Sequence, residues 1–190
     1  MKKISILILL FSATFTTAQY SDSIYTKFYS YADYLKLNKK EGELSPFVFD
    51  VATKLNSKSP QKYMDEAVVL LKKEQFNEAS YIFFLGAIRW KYYANFFKFN
   101  EVDYNQKNEI ESTINAFLRS NVRNFAALIN KASNYHLAND YTFCSRKKKP
   151  MYYDESAGFY TRLGYQIVIN EAYFTNMWSK ERRDFENEIK

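Results

Sequence analysis

The segment from Phe76 to Phe97 constrains the fold more than any other stretch. At helical spacing, Ala79, Ile82, Phe83, Gly86, Trp90, Tyr93 and Phe97 share one face, and Tyr81, Leu85, Ile88, Tyr92 and Phe96 share another. A helix that is apolar nearly all round needs neighbours on several sides. This one is expected at the centre of a bundle. Composition supports the same reading. Seventeen Tyr, seventeen Phe and two Trp supply core volume, and four Gly with three Pro leave few places for the chain to break. No segment carries the period-2 alternation of a strand. The expected fold class is all-α, a single helical bundle of five to seven helices.

The remaining helices follow from stripes and start signals. Ile24, Phe28, Tyr31 and Leu35 recur at helical spacing, and 37–43 is a polar loop containing Gly42. Ser45-Pro46 and Ser59-Pro60 each place a capping residue before a proline, the pattern of a helix start. They open short helices with the stripes Phe47, Val51, Leu55 and Tyr63, Ala67, Leu70, Leu71. Residues 98–106 are polar and irregular. Helices are expected near 107–119, with Ile110, Ile114 and Phe117, and near 121–137, with Val122, Phe125 and Ile129. Residues 139–153 show no period. One last long helix is expected from about 155 to 188, with Leu163, Ile167, Phe174 and Trp178 inward.

The N-terminus reads as an address. Met1-Lys2-Lys3, the apolar run Ile4–Phe11 and the small-residue exit Thr16-Thr17-Ala18 form a secretory signal peptide over 1–18. The apolar run falls short of the roughly 20 residues of a spanning helix. Cleavage after Ala18 leaves one all-α domain over 19–190, periplasmic or extracellular, with no transmembrane segment. The formal charge of +6 for the whole chain falls by the two lysines lost with the leader. Cys144 is the single cysteine, so no disulfide forms within the chain and the hydrophobic core must hold it.

The pattern Ala67, Leu70, Phe76, Ala79, Phe83, Gly86 resembles a tetratricopeptide hairpin over about 60–97. Small residues occur where two antiparallel helices of that family touch, and larger ones fill the grooves. Ala67, Ala79 and Gly86 match the small positions; Leu70, Phe76 and Phe83 match the large ones. The turn at Gln75-Phe76-Asn77-Glu78-Ala79 is also similar. The match covers one repeat, and no second copy follows at the family's period of about 34 residues. The string Phe83–Tyr93 also resembles an element of small exported bacterial proteins of uncharacterised function.

Several residues are candidates for chemistry. Arg89 lies amid apolar neighbours, so its guanidinium is expected to be at least partly buried, with Glu66, Glu78 or Glu171 as carboxylate partner. As an alternative it binds an anion in a pocket. The run Arg146, Lys147, Lys148, Lys149 is a solvated loop or a contact for an anionic partner. His136 is the only histidine, and no spacing of carboxylates or Cys144 around it suggests a metal. A Cys144–His136 nucleophilic pair is the remaining option for both. Glu155-Ser156 before Gly158 resembles the catalytic Glu-Ser of transglycosylases, but reads more simply as the capped first turn of a helix.

These observations favour a non-catalytic module that binds a protein or peptide. A toxin-neutralising immunity protein is a specific version, alike in size and address. The alternatives are a cell-envelope hydrolase or transglycosylase-like enzyme, with Glu155 or Glu171 as acid, and a self-assembling structural subunit. No cofactor, no metal and no nucleic-acid partner is expected.

Overall fold

The computed structural model describes residues 22–98 and 101–188. The expected leader, residues 1–18, lies outside them. The described residues form α1 (Asp22–Leu37), α2 (Phe47–Leu55), α3 (Pro60–Lys72), α4 (Phe76–Tyr93), α5 (Glu101–Arg119), α6 (Val122–Ala138), a 3₁₀ turn (Thr142–Cys144), α7 (Pro150–Ile169) and α8 (Glu171–Glu188). No strand occurs among them. The fold is all-α, and no helix among the described residues is long and apolar enough to cross a membrane.

Among the described residues eight α-helices stand where five to seven were expected, because the long helix expected over 155–188 is two. Asn170 ends α7: its backbone N–H and its side-chain amide both donate to the Gln166 carbonyl, at 3.1 and 2.9 Å. An Asn side chain competes in this way with the helical ladder. α7 also starts earlier than expected, with Pro150 in its first turn, so Glu155 and Ser156 lie inside the helix and are no cap. α5 likewise begins at Glu101, inside the stretch expected to be irregular.

α4 is the centre of the bundle, with sixteen of its eighteen residues buried. α3 and α6 are its principal neighbours, and α7, α5 and α2 also pack on it. α3 and α4 are joined by a tight turn in which Glu74 adopts φ +58. Their approach depends on Gly86. A Cβ there would overlap Tyr63 Cβ and come within 2.7 Å of Met64 Cε.

Aromatic clusters join the helices. Phe28 of α1 packs edge-on to Phe76 of α4 at 5.0 Å and lies 5.6 Å from Phe117 of α5. On the other side of the core, Phe125 of α6 meets Phe84 of α4 at 5.7 Å and Trp178 of α8 at 6.0 Å. A polar network then fixes the α1–α2 loop. Asn124 of α6 donates to Asn77 Oδ1 (2.8 Å) and accepts from Gly42 N (2.7 Å), while Asn77 donates to the Glu43 carbonyl (2.9 Å). Gly42 has φ +74 and a Cβ there would meet Ala127 Cβ at 2.6 Å, so both conformation and space favour glycine.

Candidate functional site

The structure separates the residues singled out from the sequence into two settings and adds a third. Arg89 is wholly buried, as its apolar neighbours imply, but among the described residues no carboxylate meets it. Glu78 accepts from Ser45 N at 2.9 Å, Glu171 pairs with Arg123 at 2.7 Å, and Glu66 makes no ion pair among the described residues. Rings take their place. The guanidinium carbon lies 5.2, 5.8 and 4.9 Å from the ring centroids of Tyr63, Tyr135 and Tyr141, and Nη1 donates to the Tyr63 hydroxyl. Nε and Nη2 have no hydrogen-bond partner among the described residues. Loss of water pushes the Arg89 pKa down to about 10, an effect that the tyrosines partly offset, and the group stays charged at neutral pH.

His136 lies in the same core, its ring stacked on Tyr153 at 3.7 Å. Nε2 faces the Tyr153 carbonyl at 3.2 Å, so that nitrogen carries the proton. Ser156 Oγ lies 3.4 Å from Nε2 and donates to the same carbonyl at 2.8 Å. A protonated Nε2 accepts nothing from Ser156, and the two do not form a base–nucleophile pair. Burial, helped by the nearby Arg89 charge, pushes the His136 pKa down to about 3. Cys144 is buried beside Tyr92 and Lys148, and burial raises its thiol pKa, which disfavours the reactive thiolate. Among the described residues no group of His, Cys, Asp and Glu is arranged to hold a metal.

The basic run forms a clamped loop. Asp140 accepts from Ser145 Oγ (2.7 Å) and Arg146 N (2.8 Å), and Tyr92 donates its hydroxyl proton to the Ser145 carbonyl (3.0 Å). These bonds and the basic neighbours Arg146 and Lys147 outweigh the effect of burial and hold the Asp140 pKa below its ordinary value. Arg146 turns back to the Leu137 carbonyl at 3.1 Å, and the Lys149 ammonium lies 4.9 Å from the Phe96 ring centroid. Lys147 and Lys148 remain exposed, without an ion pair among the described residues. Glu155, offered as an acid by the sequence, is exposed, whereas Ser156 next to it faces the core.

The feature missed by sequence reasoning is a cleft of 640 Å³ between α1, the α5–α6 turn and α8. Arg182 spans one wall with two bonds to Asp33, at 3.0 and 2.9 Å, and one to Glu186 at 2.8 Å. Those carboxylates raise its pKa, against a smaller effect of burial. Glu171 lies in the same cleft, paired with Arg123. The lining comes from short segments far apart in the chain, so no sequence motif marks it. Against known proteins, no family model, curated protein or solved structure matches the chain.

Proposed function

We propose that this protein is exported by its signal peptide and acts as a non-catalytic module that binds a protein or peptide in the periplasm or outside the cell. The α3–α4 pair follows the tetratricopeptide plan in this reading, and toxin neutralisation is its specific version. The observation that carries it is the clamped loop. Asp140, Tyr92 and Arg146 hold the backbone in place, so the segment that carries Lys147 and Lys148 is already ordered, and less backbone entropy is lost when the two side chains meet acidic groups. Lys149 is occupied by rings and contributes less.

The test is capture of partners by the chain from its own cells and from competitor lysates. Lys147→Glu with Lys148→Glu is expected to weaken the captured complex about tenfold and to flatten its salt dependence. Unchanged affinity and unchanged salt dependence would remove the loop from the interface.

A second reading has its own observation. Tyr165, Val168 and Ile169 on α7 and Tyr173 on α8 are all more than half exposed, at 51–64 %. An apolar strip of this kind suits self-assembly between copies. Mass measured in solution distinguishes the two, since a concentration-independent monomer excludes assembly.

A further inference from the structure

We infer that the cleft between α1, α6 and α8 is a second binding site, built for an acidic peptide segment of a partner. The inference rests on the binding-module reading but not on the basic loop. The two sites lie at opposite ends of α6, whose 17 residues span about 25 Å.

The charges in the cleft decide the chemistry of its occupant. Most of the lining is already matched: Asp33 with Arg182, Glu171 with Arg123, and Arg119 with Glu181 at 3.5 Å. Lys36 and Lys39 are exposed and have no ion pair among the described residues. Glu41, half-buried, is the one lining carboxylate without an ion pair among the described residues, so the uncommitted groups are two cations against one anion. The first turn of α6 carries no acidic residue, so its positive end adds to the same field. Asn121 caps it, accepting from Asn124 N at 3.0 Å.

The rim is also held in place. Lys39 follows the end of α1 at φ +54, a left-handed position where glycine is the usual residue. Three residues on, the bond from Gly42 N to Asn124 ties the rim to α6. Trp178 lines the cleft, 4 % exposed, and its indole N–H has no partner among the described residues. A cleft of 640 Å³ that carries several separate charges suits an extended peptide better than a lone ion. Carboxylates of the peptide would face Lys36, Lys39 and the α6 terminus.

Fluorescein-labelled hexaglutamate, titrated with the full chain and followed by anisotropy, tests this directly. Binding is expected to weaken with salt, to fall about tenfold in Lys36→Glu with Lys39→Glu, and to persist in Lys147→Glu with Lys148→Glu. Trp178→Phe should remove the tryptophan fluorescence change that accompanies binding; if the change stays, the cleft is not where the peptide sits. Equal binding by the Lys36/Lys39 variant overturns the assignment, as does loss only in the Lys147/Lys148 variant, which points to the loop instead. Displacement of the peptide by inorganic phosphate at equal concentration also overturns it, since that marks a simple anion site. If hexaglutamate does not bind while partner capture succeeds, the cleft proposal fails and the binding-module reading stands.

Discussion

Arg89 is enclosed by tyrosine rings without a carboxylate, whereas Arg182 lies partly exposed with two carboxylates within 3 Å. Their pKa values move in opposite directions as a result, down for Arg89 and up for Arg182. At Arg89 the loss of water outweighs what the ring faces return. At Arg182 the hydrogen-bonded carboxylates outweigh a modest loss of water. Burial and pairing are therefore separable in this fold: of the two arginines, the more deeply buried is the one without a carboxylate partner. That difference suggests Arg89 is held by shape and Arg182 by charge.

The largest expected effect comes from emptying the Arg89 cage. Arg89→Ala should lose about 3–5 kcal/mol in urea unfolding, because it leaves a cavity lined by tyrosine rings and takes the donor from the Tyr63 hydroxyl. Arg89→Met keeps the volume and removes the unpaired charge. It should come out within about 1 kcal/mol of the native chain or more stable, and a loss as large as that of Ala would show that the charge itself matters.

Gly86→Ala probes the same cage from behind, since the added methyl must push Tyr63 away from α4. A loss of about 1–3 kcal/mol is expected. The measurement is again the urea midpoint, with the slope unchanged.

His136 gives the comparison a pH axis. Folded, its ring stays neutral down to about pH 3; unfolded, it takes a proton near 6.5. Between those values the unfolded state binds more protons, so stability falls as pH drops, by up to about 1.4 kcal/mol per pH unit. His136→Phe should flatten that part of the stability–pH curve, and an unchanged slope would show that other groups set it.

The smallest effect belongs to the paired cation. Arg182→Met should cost no more than about 1 kcal/mol, and less in high salt, because partly exposed ion pairs contribute little. A loss comparable to Arg89→Ala would reverse the contrast between the two arginines.

What was legible in the sequence was local. The all-round apolar pattern of 76–97 marked the central helix and the burial of Arg89, because periodicity reports directly on which faces meet protein. The partners of Arg89 were not legible. Tyr63 is 26 residues away and Tyr135 and Tyr141 lie further along the chain, with no spacing to single them out among seventeen tyrosines. The expectation of a glutamate followed the general rule for buried charge, and the fold met the need with ring faces. The break at Asn170 did carry a signal, an Asn followed by Glu171 in the first turn of the next helix, but continuous apolar spacing across it concealed the stop. The cleft had none, since Asp33, Lys39, Arg123 and Trp178 come together only when four segments pack.

The near-complete enclosure of α4 bears on how the molecule breathes. Its amide hydrogens reach water only when the surrounding helices separate, so they should be among the last to exchange for deuterium. Their exchange rate would then report the opening of the whole bundle, while the outer turns of α8 trade protons through local fraying.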